Sequence, residues 1–275
     1  MHCRRPQLVA HRAGPLRNGS AWHAEQTLPA FADTWARERV VCELDVRFTA
    51  DGVPVAFHDA TLQRITGRPG HVHDQDLRAF RTLRADVTGA DRVLARAADP
   101  VPLATLRQVL RFARRSGARL DVELKNLPGD PAFDPTPATA ERLVALLRAS
   151  GIDPRTLIVQ SFRADDVAVL AHGLPEARHS LLVRAGRAAA GIAEAAAAGA
   201  TSVGLAWPVD RATVEGARAR GLFVMTYTVN DPAAVLAAAD AGVDAIITDD
   251  PFAARLALDR ATAGTASLGA NRAAA

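Results

Sequence analysis

From about residue 104 onward the chain repeats one pattern: an apolar helix, a glycine, then a short β-branched strand. The strands predicted this way are Leu120 to Leu124, Leu157 to Ser161, Ser180 to Val183, Ser202 to Ala206, Phe223 to Thr228 and Ala245 to Thr248. They are short, continuous apolar runs, as parallel strands covered by helices are. Leu106, Val109, Leu110 and Ala113 fall at i, i+3, i+4 and i+7, one face of a helix. Gly117, Gly151, Gly173, Gly199, Gly221 and Gly242 stand where helices should end, a place that favours left-handed backbone. Asp231-Pro232 reads as an N-cap followed by a first-turn proline.

Two strands precede this series, Leu8 to Ala10 and Val40 to Leu44. Between them a helix carries Leu28, Phe31, Ala32 and Trp35 on one stripe, with Thr27 as its cap. Eight βα units in 275 residues fit a (β/α)8 TIM barrel, in the α/β class. An open doubly wound sheet competes, but no GxGxxG follows the first strand. One segment breaks the repeat. Val46 to Val55 reads as a hairpin turning at Asp51-Gly52, with His58 opposite Glu43 to within a residue or two. The stretch from Ala60 to about Pro102 is then a polar insertion over the barrel mouth, the departure as a whole covering about residues 46–103. We expect a single barrel domain over residues 1–261 and a mobile tail over 262–275.

Composition narrows the classes. Apolar residues make up 49% and charged residues 23%, so the chain can bury a full core. No run approaches the roughly 20 apolar residues of a membrane span. The start leads into a strand without an apolar signal segment, which predicts a soluble, cytoplasmic protein. Cys3 and Cys42 cannot form a disulfide framework. Net charge is only +3, and the arginines are spread along the chain rather than gathered in a stripe, which argues against nucleic acid as a partner. Lysine and arginine together number 33, and a single one of them, Lys125, is lysine.

Barrel enzymes work at the C-terminal ends of their strands, so the residues there carry the candidate chemistry. Glu43 and Asp45 are two apart on one strand and point the same way. Glu123 and Lys125 repeat that spacing on the next. Three converging carboxylates suit one hard divalent cation, Mg²⁺ or Ca²⁺, better than zinc. The alternative is that Arg12 and Lys125 tie them up in ion pairs. His11 and His58 flank the acids and suggest a general base and a general acid. Arg12 and Lys125 offer charge to a phosphoryl group. A lone lysine kept among arginines points to a site that needs a compact ammonium.

Taken in order, His11-Arg12, Glu25-Gln26-Thr27, Glu43-Leu44-Asp45-Val46, Thr49-Ala50-Asp51-Gly52, His58-Asp59-Ala60-Thr61-Leu62-Gln63-Arg64-Ile65-Thr66, Glu123-Leu124-Lys125, Tyr227-Thr228-Val229-Asn230 and Ile247-Thr248-Asp249-Asp250-Pro251 form a specific series. The chain resembles the glycerophosphodiester phosphodiesterase family across roughly residues 7–258. The resemblance implies metal-dependent hydrolysis of glycerophosphodiesters to sn-glycerol 3-phosphate and an alcohol. It assigns the cation to Glu43, Asp45 and Glu123, acid–base work to His11 and His58, and phosphate binding to Arg12 and Lys125. Four departures stand out: Ala13 where the family usually has glycine, Gln26 for the usual asparagine, Tyr227 for tryptophan, and a lengthened segment between His11 and Glu25.

Glu25 is a further ligand or an outer acceptor, and Trp207 and Tyr227 line the substrate pocket or plug the barrel top. His23 lies in the lengthened segment and is a possible substrate contact. His71 and His73 sit in the insertion and read as solvated loop residues without a matching metal partner. His172 and His179 lie away from the active end. Two other functions compete: a cyclising phosphodiesterase of the phospholipase type, and a barrel with a dead site that only binds.

Overall fold

The computed structural model describes residues 5–85 and 101–273, with side chains described as far as residue 263; Cys3 therefore lies outside it. Among the described residues eight parallel strands close into a ring: β1 Gln7–Ala10, β2 Val41–Phe48, β3 Leu120–Leu124, β4 Leu157–Ser161, β5 Arg178–Val183, β6 Ser202–Ala206, β7 Phe223–Tyr227 and β8 Ala245–Thr248. Neighbours follow chain order, and β1 closes the barrel by pairing with both β8 and β2. The helices of eight residues or more, among the described residues, are α1 Leu28–Glu38, α2 Leu106–Ser116, α3 Ala138–Ala149, α4 Ala164–Gly173, α5 Ala188–Ala197, α6 Arg211–Arg218, α7 Pro232–Ala241 and α8 Pro251–Ala273.

Sequence periodicity explains the outer layer. The stripe Leu106, Val109, Leu110 and Ala113 is the buried face of α2, which opens on a Thr105–Gln108 capping box and closes on Gly117 at φ 72°. Asp231 caps α7 through the Ala234 N–H. On α1 the buried face is turned from the expected stripe. Ala30, Phe31 and Thr34 are buried while Ala32 is exposed, because the Thr34 hydroxyl donates to the Ala13 carbonyl at 2.8 Å. Thr27 holds the N-cap position, but its hydroxyl donates to Ala24 O. Gly173 remains helical and serves packing instead of termination: a Cβ there would meet Val144 Cγ1 at 2.6 Å.

The barrel interior divides into an apolar floor and a charged rim. Val9, Val41, Ile158, Met225, Ala245 and Ile247 form the floor cluster. Parallel register sets Glu43 beside Asp121, and Asp45 beside Glu123, which in turn lies beside Gln160. The inward positions of β2 and β3 thus rise from the floor into carboxylates.

The hairpin is present, its return strand Pro54–Ala56 antiparallel to β2. Its register is one residue from the expected one, with Phe48 opposite Pro54. The turn holds one more residue than the tight form because Gly52 sits at φ 75° and donates to Thr49 O. The insertion that follows has a small core of its own, including Phe57, Leu62, Ile65, Val72 and Phe80. At the other end, α8 continues as helix to Ala273 where the sequence predicts a mobile tail from Thr262. Its many alanines, the strongest helix formers, account for the continuation. No helix among the described residues is long and apolar enough to cross a membrane.

Candidate active site

The chain leaves β1 through a tight turn. Arg12, Ala13 and Gly14 all have positive φ, 49°, 67° and 67°. The first two pay a left-handed penalty on the order of 1–2 kcal/mol each. This turn aims His11 and Arg12 across the mouth and points the Arg12 N–H at Glu43 Oε2, 2.6 Å away.

Glu43, Asp45 and Glu123 come together. One oxygen of each lies within 4.8 Å of the others, and all three are buried. Lys125 Nζ is 2.6 Å from Glu123 Oε1 and 2.8 Å from Asp45 Oδ1, and the lysine side chain is only 5% exposed. Lys125 thus pairs with both Asp45 and Glu123, whose oxygens also belong to the acidic cluster. Glu43 differs in having no ion pair among the described residues: its Oε2 accepts the Arg12 N–H, and its Oε1 is buried without a hydrogen-bond partner. Burial, then repulsion by Asp45, Glu123 and Asp121, pushes the Glu43 carboxyl well above its ordinary range. Burial also works against the Asp45 charge, but Lys125, His58, Arg12 and His11 overcome it and hold Asp45 low. Burial opposes the Lys125 charge too, and Asp45 and Glu123 outweigh it, so the ammonium persists.

The two imidazoles are held alike. His11 Nδ1 is 2.6 Å from Asp249 Oδ1, and Asp249 is fixed in turn by Asn230 Nδ2 at 2.6 Å. His58 Nδ1 is 2.6 Å from Asp59 Oδ1, and Arg64 Nε donates to Asp59 Oδ2 at 2.6 Å. A carboxylate at Nδ1 favours the tautomer that carries its proton there, which leaves Nε2 outside that contact. Burial lowers His58 below the ordinary imidazole value, against the pull of Asp59 and Asp45. Both rings are near enough to Asp45 to favour its charge.

Glu25 is an outer acceptor here. Both of its oxygens are taken by Arg64, at 2.7 and 2.9 Å, and by Arg12, at 3.2 and 3.3 Å. Burial opposes its charge, yet the two guanidiniums keep the carboxyl low. Arg12 is partly buried, a cost exceeded by Glu25, Asp45 and Glu43, which raise its hold on the proton. Gln26, at φ 58°, clamps Asp45 by donating from Nε2 at 2.5 Å and accepting the Asp45 N–H at 3.0 Å.

Residues 11–253 match the sequence pattern of the Glycerophosphoryl diester phosphodiesterase family. The chain belongs to that family. Its activity is accordingly that of a phosphoric diester hydrolase. A glycerophosphodiester phosphodiesterase of Caldanaerobacter subterraneus is 26% identical over 244 residues, covering 89% of this chain and 94% of that one. Another, from Bacillus subtilis, is 26% identical over 258 residues, with 88% and 83% covered. A solved structure from Silicibacter pomeroyi, described by the family name, superposes with TM-score 0.78 at 26% identity and covers 94% of each chain. A phosphodiesterase structure from Oleispira antarctica, in complex with the product sn-glycerol-3-phosphate, has TM-score 0.75 at 23% identity and covers 92% of this chain and 97% of that one.

Within this phosphodiesterase frame the remaining residues find places. The Tyr227 ring packs edge-on to Phe162 at 5.9 Å, and its hydroxyl donates to Val183 O at 2.9 Å. Phe162 also faces Lys125 Nζ at 5.9 Å and the Arg184 guanidinium at 4.7 Å. Trp207 stands one cleft away, in a hollow of about 310 Å³ shared with Arg184 and Asp210. His23 turns to α1 instead of the mouth, with Nε2 3.6 Å from Asp33. His179 is buried on β5 and bonded to Leu174 O. The sequence does not reveal the orienting roles of Asp59, Asn230, Asp249, Arg64 and Gln26, nor that of Phe162. Asp249 lies 238 residues from His11, and only the closing of β8 on β1 joins them. Asp59, beside His58 in the chain, had the one local signal.

Proposed function

We propose that the chain hydrolyses glycerophosphodiesters to sn-glycerol 3-phosphate and an alcohol, with His11 and His58 as the acid–base pair. One observation carries this reading. Two imidazoles, each braced at Nδ1 by a carboxylate, are near enough to Asp45 of the buried acidic cluster to favour its charge. The product held by the Oleispira antarctica relative supports the substrate class.

The donor set fits a hard divalent cation. It is all oxygen, it is buried, and Glu43 Oε1 lacks any hydrogen-bond donor. Glu43, Asp45 and Glu123 would hold Mg²⁺ or Ca²⁺. When bound, such an ion supplies positive charge to the phosphoryl oxygens.

The protein's own groups do the rest. Lys125, ion-paired with Asp45 and Glu123, still has an N–H to offer a phosphoryl oxygen. Arg12, anchored by Glu25, adds a second cation beside it. His11 Nε2 removes the proton from the neighbouring glycerol hydroxyl as that oxygen attacks phosphorus. The bond from phosphorus to the leaving oxygen breaks, and His58 Nε2 delivers a proton to the departing alcohol. Water then opens the cyclic phosphate with the histidine roles reversed. Asp249 and Asp59 stabilise whichever imidazolium forms.

Phosphorus NMR of a reaction on glycerophosphocholine tests the proposal. We expect sn-glycerol 3-phosphate as the final phosphorus species. A cyclic phosphate as sole end product would make the enzyme a cyclising lyase. No turnover by the metal-loaded chain would leave a binding protein.

A further inference from the structure

The insertion carries a second set of metal-ligating side chains, apart from the acidic cluster. His71, His73 and Asp74 each place one donor atom within 4.8 Å of the other two. We propose that they form a site for a divalent cation of the zinc class. The site is independent of the phosphodiesterase reading above.

Local structure builds it. Val72 is buried in the insertion's own core. With Val72 turned inward, its neighbours His71 and His73 turn out together. A short 3-10 turn, Val72–Asp74, then brings the carboxylate between the rings. The turn is pinned on both sides: His71 bridges to Thr61, and the Ala50 N–H donates to Gln75 O at 2.8 Å.

The geometry suits nitrogen-and-oxygen coordination. His71 Nδ1 is 3.2 Å from Asp74 Oδ2, and His73 Nε2 is 3.3 Å from Asp74 Oδ1. The ligand–ligand edge of a tetrahedron with bonds of about 2.0–2.1 Å is about 3.3 Å. Two imidazoles and one carboxylate favour zinc over magnesium or calcium, the reverse of the acidic cluster.

The rival is a plain pair of ion bridges to Asp74. In that arrangement each ring spends an N–H on Asp74, whereas the rings stand together with centroids 5.2 Å apart and can offer the lone pairs of the same nitrogens to one ion. One divalent cation takes both rings neutral and the carboxylate charged. A fourth position stays open to solvent, since all three side chains are partly exposed. His73 also lines a cleft of about 290 Å³ with Arg47, Lys125 and Arg142, so a cation here adds charge beside the catalytic mouth.

The test uses the full chain stripped of metal. Zn²⁺ is titrated by calorimetry and Co²⁺ by visible absorption. Wild type should show a tetrahedral Co²⁺ band, retained in Glu43→Gln. The His71→Ala/His73→Ala double variant should lose it, and Asp74→Asn should weaken Zn²⁺ binding at this site at least about tenfold, with folding checked by circular dichroism. A band that survives the double variant overturns the site. So does Zn²⁺ uptake that Glu43→Gln alone abolishes.

Discussion

Gln26 grips Asp45 at two points, donating from Nε2 to Oδ2 at 2.5 Å and accepting the Asp45 backbone N–H at 3.0 Å. Both residues are buried, so neither bond can be replaced by bulk water. The clamp fixes the carboxylate that Lys125 and Arg12 also approach. Replacing Gln26 by Ala should lower divalent-cation affinity about 10–100-fold, the usual cost of losing a group that orients a ligand. Activity measured against Mg²⁺ concentration checks it. Restored affinity in Gln26→Asn would show that the amide, and not the side-chain volume, matters.

The His11–Asp249 pair should behave as one unit. His11→Ala and His58→Ala should each lower kcat by about 10²–10⁴. Asp249→Asn should fall in the same range by favouring the wrong tautomer. Adding it to His11→Ala should cost little more. Full additivity of the two losses, read from single and double variants, would separate Asp249 from the chemistry.

Lys125 fills a space between two acids, with a phenyl ring 5.9 Å from its nitrogen. A planar guanidinium cannot take that place without moving Asp45 or Phe162. Lys125→Arg should therefore lose at least about tenfold in kcat/KM, while the same exchange reversed at exposed Arg218 should lose nothing. Steady-state kinetics of the two variants decide it.

Asp121 is a second buried acid in the barrel without an ion-pair partner among the described residues. Both of its oxygens are buried without hydrogen-bond partners. Burial, then repulsion by Glu123 and Asp45, raises its carboxyl well above the ordinary 3.8. The folded chain thus keeps this proton at pH values where the unfolded chain has lost it. Stability from this group is present below about pH 3.8 and declines as pH rises through the folded value. Asp121→Asn should remove that decline. In metal-stripped protein we expect a gain on the order of 1–3 kcal/mol at neutral pH, vanishing near pH 4. Thermal melts across that range read it directly.

The strands were legible because glycine and β-branched residues punctuate each repeat, and β3, β4, β6 and β8 run as the pattern predicts. The acidic cluster was legible for a similar reason: spacing along β2 and β3 fixes which side chains face inward. What lay hidden depends on contacts between distant parts of the chain. Asn230, Asp249 and His11 meet only once the ring is closed. Gly173 looked like a helix stop, but its role is set by Val144 on a neighbouring helix. The hairpin register shifted because one left-handed glycine adds a residue to the turn.

Chelation followed by add-back is the most direct trial of the account. The His71→Ala/His73→Ala variant keeps the insertion's histidines out of the result. Exhaustively treated with EDTA, it should not cleave glycerophosphocholine, and Mg²⁺ or Ca²⁺ should return its activity, whereas Glu43→Gln should stay inactive at the same ion concentrations. Undiminished cleavage after chelation would contradict the claim that the three buried acids serve the reaction by holding a cation.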